Sequence, residues 1–293
     1  MSSPVTAATA PAPVPFGARL HAARSARGPL VVGLDPHDAL LTRWGLSVDV
    51  AGLAAFCATV VETLAGRAAV LKPQIAFFER HGPAGLAVLA EAVAAARSAG
   101  ALVLLDAKRG DIGSTVQAYA DAYLDQAGPL PVDAITASPY LGFDALAPLL
   151  DTAATNRAGV FVLALTSNPQ GRGVQLAVGP DGRTVAAGVA AAAAARNVGA
   201  VPLGSVGLVV GATAGADVPA AGLDLAAVNG PLLAPGLGAQ GGQPADLAAV
   251  FGPAARQVWP STSRALLGAG PRPADLVAAF EQTRDQCASA LGV

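Results

Sequence analysis

"LVLLDAKRGDIGST" (residues 102–115) runs four apolar residues straight into Asp106, Lys108, Arg109 and Asp111, and then into Gly, Ser and Thr. An apolar run of this length reads as a buried strand. Four charges within six positions at its carboxyl end stand out in a chain with only 13% charged residues. The pattern repeats outward from this point. Short apolar runs occur at "PLVVGLDP" (29–36), "AAVLKPQIAFF" (68–78), "ALVLLDAKRGD" (101–111), "DAITASPY" (133–140), "GVFVLALTS" (159–167), "VGLVVGAT" (206–213), "PLLAPGLG" (231–238) and "QVWPSTSRALL" (257–267), eight in all. Between them lie Ala/Leu-rich stretches with helical spacing, such as "PAGLAVLAEAVAAARSAG" (83–100), which closes on a basic residue and then glycine, as helices do.

Continuous apolar strands alternating with helices indicate a parallel sheet covered on both faces. Eight strand–helix units in a chain of 293 residues match a single-domain (β/α)8 barrel, typically about 250 residues. A doubly wound open sheet is the second candidate, but no G-x-G-x-x-G follows the first strand. No Pro/Gly/Ser-rich linker divides the chain, so residues 16–293 are expected to form one barrel behind an Ala/Pro-rich leader at 1–15. The longest irregular connection, "SNPQGRGVQLAVGPDGRT" (167–184), follows strand 5 and is a candidate flap over the barrel mouth.

The composition narrows the function. The net charge is −2 without long runs of like charge, so no face for a nucleic acid is advertised. The leader has no basic residue before Arg19, unlike a signal peptide. The most apolar helical stretch, 185–196, is far shorter than the roughly 18 residues of a membrane span. Cys57 and Cys287 form no CxxC or Cys/His pattern and read as reduced core thiols. These features predict a soluble, cytoplasmic protein. Of the 18 Lys and Arg residues only Lys72 and Lys108 are lysines, and both fall at the ends of apolar strands. Arginine cannot release a proton at usable pH, whereas lysine can act as a compact acid or base.

Reactive groups of such barrels sit at the carboxyl ends of the strands. Asp35, Lys72, Asp106, Lys108, Asp111, Ser138, Thr166 and Asn168 all fall there, strand by strand. Asp106 and Lys108, two apart on an extended strand, are expected to point into the mouth, where Lys72 can join them and Asp111 lies just past the turn at Gly110. Strands 7 and 8 run into "PGLGAQGG" (235–242) and "STSR" (261–264). Gly236, Gly238, Gly241 and Gly242 would let the backbone turn its N–H groups toward an anion, and Arg264 adds a fork suited to phosphate. The loops after these strands are the usual phosphate site of the fold.

With these residues in place the chain resembles the orotidine 5′-phosphate decarboxylases. The motifs "GLDP", "LKPQ", "LLDAKRGDIGST", "TASPYLG", "TSNPQG", "PGLGAQGG" and "STSR" span residues 31–264 in that family's order. "FVLALTSNPQG" and the chain length resemble its longer, type 2 branch. The resemblance implies that Lys72, Asp106, Lys108 and Asp111 form a catalytic tetrad, with Lys108 the general acid. Asp111, Ile112 and Thr115 would serve the partner subunit of a homodimer with shared sites. Asp35 would bind the ribose and Ser138 the pyrimidine ring. Gln240 and Arg264 would hold the phosphate, with Gly238, Gly241, Ser263, Thr166 and Asn168 as further substrate-binding residues. It implies orotidine 5′-phosphate as substrate, UMP as product, and no cofactor or metal. The Asp-x-Lys-x-x-Asp signature is shared with Mg²⁺-dependent sugar-phosphate lyases, which carry an acidic residue where Lys72 stands. A nucleotide-binding protein without catalysis is the third alternative.

Overall fold

Each of the eight apolar runs contains one parallel strand in a computed structural model that describes residues 14–293. They are β1 (Val31–Leu34), β2 (Val70–Pro73), β3 (Leu102–Arg109), β4 (Ala134–Ala137), β5 (Gly159–Leu165), β6 (Val206–Val210), β7 (Leu232–Pro235) and β8 (Val258–Thr262). Each pairs with the next, and β8 returns to β1 through Val31↔Ser261 and Val32↔Thr262, so the sheet closes into a barrel. Helices between the strands form the outer ring, which makes the architecture the expected single-domain (β/α)8 barrel. The leader assigned to residues 1–15 lies, over 1–13, outside the described residues.

The strands' period of two sorts the side chains. Val31, Val70, Leu104, Ala134, Phe161, Val209, Leu233 and Trp259 point inward and form one cluster. Their neighbours Val32, Leu71, Leu105, Ile135, Val160, Leu208, Leu232 and Val258 point outward against the helices in a second. One inward step nearer the carboxyl ends, the residues become Lys72, Asp106, Thr136, Leu163, Pro235 and Ser261. On β2, β3, β4 and β8 the interior therefore changes from an apolar floor to a polar mouth within two residues.

A helix at Phe16–Arg27 seals the floor. Phe16 and Leu20 belong to the inner cluster, and Phe16 meets Phe161 edge-on at 6.1 Å. A Cβ on Gly159 would lie 2.2 Å from the Phe16 ring, so only glycine fits where β5 begins. Arg19 donates to the buried carboxylate of Asp133 at 2.7 Å and to the Arg157 carbonyl at 3.0 Å, while Arg24 bonds the carbonyls of Arg256 and Val258. The sequence reading began the barrel at residue 16 but gave this plug no role.

The 167–184 connection is not the irregular flap expected. It folds into a 3-10 turn (Pro169–Gly171), a short helix (Arg172–Gln175) and a Val178–Thr184 bridge, and Thr184 then caps the helix Val185–Arg196. Cys57 and Cys287 are both buried and unpaired, and burial pushes each thiol up to about 12. Among the described residues no helix is long and apolar enough to cross a membrane. Removing the plug's aromatic ring should leave an unfilled floor. Phe16→Ala is expected to cost about 3–5 kcal/mol, read as a lower denaturation midpoint in guanidinium chloride.

Candidate active site

A cavity of about 380 Å³ opens at the carboxyl ends of the strands, within the range of small-molecule sites. Its centre is the carboxylate of Asp106, which is 8% exposed. Lys72 Nζ donates to Oδ2 at 2.9 Å and Gln74 Nε2 donates to the same oxygen at 3.2 Å. Lys108 Nζ donates to Oδ1 at 2.6 Å, and the Thr136 hydroxyl donates to it at 2.9 Å. Burial alone would raise the Asp106 pKa, but the two ammonium groups hold it well below the usual carboxylate range. Burial likewise opposes the charge on Lys72, yet Asp106 and Asp35 more than offset it and its pKa is raised. Lys72 and Asp106 therefore form an ionised pair at neutral pH.

Lys108 does not continue an extended strand, contrary to the expected alternation. Its φ is +49°, in the left-handed region. The β3–β4 register advances from Leu105↔Ile135 to Arg109↔Ala137, so the chain bulges between these pairs. Lys108 thus reaches Asp106 from a local turn rather than from two residues up a regular strand. Arg109, the remaining charge of the motif, points away from the cavity, pairs with Glu79 and lies 5.4 Å from the Tyr119 ring.

A further part of the wall comes from β7, β8 and β1, the last of these adjacent to β2. Gly236 and Gly238 adopt φ of +111° and +73°, and a Cβ on Gly238 would lie 2.5 Å from Ala265. The loop amides differ from expectation: those of Gly238, Gly241 and Gly242 bond carbonyls within the loop itself. The side chains of Gln240 and Arg264 line the cavity instead. Ser167 Oγ donates to Gln240 Oε1 at 2.9 Å, tying the loop after β5 to the loop after β7. Two buried oxygens, Asp35 Oδ1 and Ser263 Oγ, have no hydrogen-bond partner among the described residues; buried polar atoms of this kind ask for a ligand or water.

Of the expected site residues, the cavity brings together Asp35, Lys72, Asp106, Lys108, Thr166, Asn168, Gln240, Ser263 and Arg264. Thr166 and Asn168 are joined at 2.7 Å, and Gln175 holds Thr166 from behind. Gly238 and Gly241 shape the loop without lining the cavity. Asp111, Ile112, Thr115 and Ser138 are not brought to it. The Asp111 carboxylate accepts from the Ile112 amide at 2.8 Å, and Ile112 and Thr115 are exposed at the start of the helix Gly113–Tyr123. The Ser138 amide donates to the Arg109 carbonyl at 2.9 Å. The cavity also gathers residues that the sequence reading passed over. Gln74 and His37 each lie two positions past an assigned residue, so the period of two could have found them. His37 stacks edge-on against Phe77 at 4.4 Å, and burial together with Arg264 lowers its pKa against the pull of Asp35 and Asp38. Among the described residues, no group of His, Cys, Asp and Glu is arranged to hold a metal ion.

Comparison with known proteins gives a consistent picture. The model of the Orotidine 5'-phosphate decarboxylase / HUMPS family matches residues 28–277. The orotidine 5'-phosphate decarboxylase of Salinispora arenicola is 60% identical over 276 residues, 94% of this chain and 98% of that one. The Streptomyces coelicolor enzyme of the same name is 59% identical over 253 residues, 86% and 90% of the two chains. A crystal structure from Streptomyces avermitilis, of a chain assigned the same activity, superposes with a TM-score of 0.91 at 56% identity, covering 95% of this chain and 96% of that one. The OMP decarboxylase of Leishmania donovani superposes with a TM-score of 0.75 at 32% identity, covering 96% and 100%.

A carboxylate that neutralises two ammonium groups should also support the fold. Asp106→Asn is expected to lose about 3–5 kcal/mol at neutral pH, because it leaves the buried Lys72 charge uncompensated. The native pKa of Asp106 lies below the unfolded value of about 4. Its contribution is therefore complete above about pH 5 and shrinks as pH falls below about 4. Urea titrations of parent and variant from pH 7 down to pH 3 should show the gap narrowing at the acid end.

Proposed function

The chain belongs to the Orotidine 5'-phosphate decarboxylase / HUMPS family; it is a carboxy-lyase acting on orotidine 5′-phosphate, and we propose that it works without metal or cofactor through the Lys72–Asp106–Lys108 cluster. One observation carries the mechanism: two lysines share a single buried carboxylate at the barrel mouth, in the same cavity as Arg264. Gln240 and Arg264 bind the 5′-phosphate, the guanidinium supplying a paired donor. Asp35, whose Oδ1 lacks a partner among the described residues, accepts from a ribose hydroxyl beside Lys72. The pyrimidine then lies over Asp106 and Lys108.

The bond from C6 to the carboxyl carbon breaks, CO₂ leaves, and the electron pair remains on C6. Protonated Lys108 stabilises that charge as it develops and transfers its Nζ proton to C6, giving UMP; solvent restores the proton to the amine. Asp106 holds Lys108 in place through its Oδ1 at 2.6 Å. Phosphate contacts, remote from C6, contribute binding energy that orders the loop after β7 around the substrate.

A Mg²⁺-dependent sugar-phosphate lyase fits these residues less well. Lys72 occupies Asp106 Oδ2, an oxygen such a metal would need, and adds a positive charge beside it. A binding protein without turnover would have no use for a cationic acid held on a buried anion. Incubation of purified protein with orotidine 5′-phosphate in excess EDTA should give UMP, followed by the loss of substrate absorbance. Lys108→Ala should reduce turnover to background while calorimetry still detects UMP binding. Activity that vanishes with EDTA and returns with Mg²⁺ would replace this reading with the lyase.

The active unit in this proposal is a homodimer with shared sites. Asp111, Ile112 and Thr115 lie outside their own chain's cavity, and Ile112 is 61% exposed. Exposed Tyr140 and Leu141 follow the adjacent strand and extend the apolar rim. Asp111 then completes the tetrad across a two-fold axis. Lys108→Ala and Asp111→Ala proteins, each inactive alone, should recover about a quarter of parental activity after random subunit exchange, since ~half of the dimers are mixed and each mixed dimer has one intact site. Exchange verified by native mass spectrometry with no recovered activity would place Asp111 in its own chain's chemistry.

A further inference from the structure

The bulge in β3 leaves backbone groups that the barrel ladder cannot satisfy. Between Leu105↔Ile135 and Arg109↔Ala137, β3 advances four residues while β4 advances two. The amides of Ala107 and Lys108 fall inside that surplus, in a part of the wall where Ala107 is buried. Both donate to one atom: Ala107 N reaches Thr136 Oγ1 at 3.0 Å, and Lys108 N reaches it at 2.9 Å. The same hydroxyl donates its proton to Asp106 Oδ1 at 2.9 Å. A hydroxyl has one donor and two acceptor positions, and here all three are used. Thr136 is 1% exposed and does not line the cavity, so it lies behind the cavity's lining.

We infer that Thr136 is the positioning residue of the proposed acid, fixing both the left-handed turn that presents Lys108 and the Asp106 oxygen that aims its ammonium group. The inference rests on the decarboxylase reading above. Lys108 has φ of +49°, a conformation that side-chain-bearing residues hold only when their surroundings impose it. The hydroxyl imposes it from one side by accepting from two successive amides. From the other side it holds Asp106 Oδ1, which Lys108 Nζ approaches at 2.6 Å. The turn and the ion pair are thus set by one atom from the neighbouring strand. Serine can make the same three bonds. Valine has nearly the shape of threonine and can make none.

The test compares Thr136→Val, Thr136→Ser and Thr136→Ala with the parent chain, measuring kcat and KM for orotidine 5′-phosphate, UMP binding by calorimetry, and melting temperature. Thr136→Val should lower kcat by roughly 10- to 100-fold, the scale of small misplacements at a reacting centre. KM and UMP affinity should stay within about threefold, because phosphate and ribose contacts are untouched. Thr136→Ser should keep kcat within about threefold of the parent despite the lost methyl group. If Thr136→Val does not fold, Thr136→Ala against Thr136→Ser isolates the hydroxyl, and kcat should differ at least tenfold between them. Equal kcat in the variants with and without the hydroxyl, or a loss of kcat matched by an equal loss of UMP affinity, would overturn the positioning role while leaving the decarboxylase reading intact. A parent chain without decarboxylase activity would overturn both.

Discussion

A single buried carboxylate organises the mouth of this barrel. Moving Asp106 out of water is costly, and so is moving Lys72, which is 5% exposed. Each is tolerable only because the other is there, together with Lys108, Gln74 and Thr136 as further partners. Such clusters seldom add net stability over an apolar replacement, yet removal of one member leaves a bare buried charge. The arrangement therefore makes little sense as a device for holding the fold. It makes sense as a way to fix the Lys108 side chain at the edge of a cavity.

The rest of the barrel accommodates that cluster by separating tasks along the strand direction. The floor is apolar and closed: Phe16 and Leu20 enter from the plug helix, and Trp259, Phe161 and Leu104 meet them. Ion pairing there is peripheral, with Asp133 held between Arg19 and Arg97. Two residues further along β2, β3, β4 and β8 the inward positions turn polar. A cluster that needs low mobility is thus placed on rigid strand ends, while loops carry the contacts that must adjust to a ligand. The tie from Ser167 to Gln240 shows two of those loops already joined across the mouth.

The wall from β7, β8 and β1 is complementary in a different way. Asp35 Oδ1 and Ser263 Oγ are buried without partners among the described residues, and Arg264 stands near His37, whose proton affinity it helps to lower. Unpaired polar atoms and the Arg264 guanidinium favour a ligand that brings hydroxyls and an anion. The cluster around Asp106 is internally satisfied; the other wall is not. This asymmetry matches the division of the proposed function, with chemistry at the cluster and binding at the other wall.

Much of this was legible in the chain itself. Apolar runs of strand length, helical spacing between them and a count of eight imply a closed parallel barrel, because burial on both faces leaves a local signature in every strand. Lys72, Asp106 and Lys108 stand out for the same reason, since charge directly after a buried run has no place in a core. Other features have no local signature. The left-handed turn at Lys108 depends on a hydroxyl of Thr136, 28 residues away, and nothing in "DAKRG" shows that the strand must bulge there. The role of Phe16–Arg27 as floor depends on Gly159 leaving room for a ring that comes from the start of the barrel. Asp111, by contrast, lies past the strand, just before the helix Gly113–Tyr123 and outside its own chain's cavity, as its place after Gly110 implies. Sequence periodicity reports which side of an element is buried. Which atoms then meet across strands is decided by register, and register exists only once the barrel has closed.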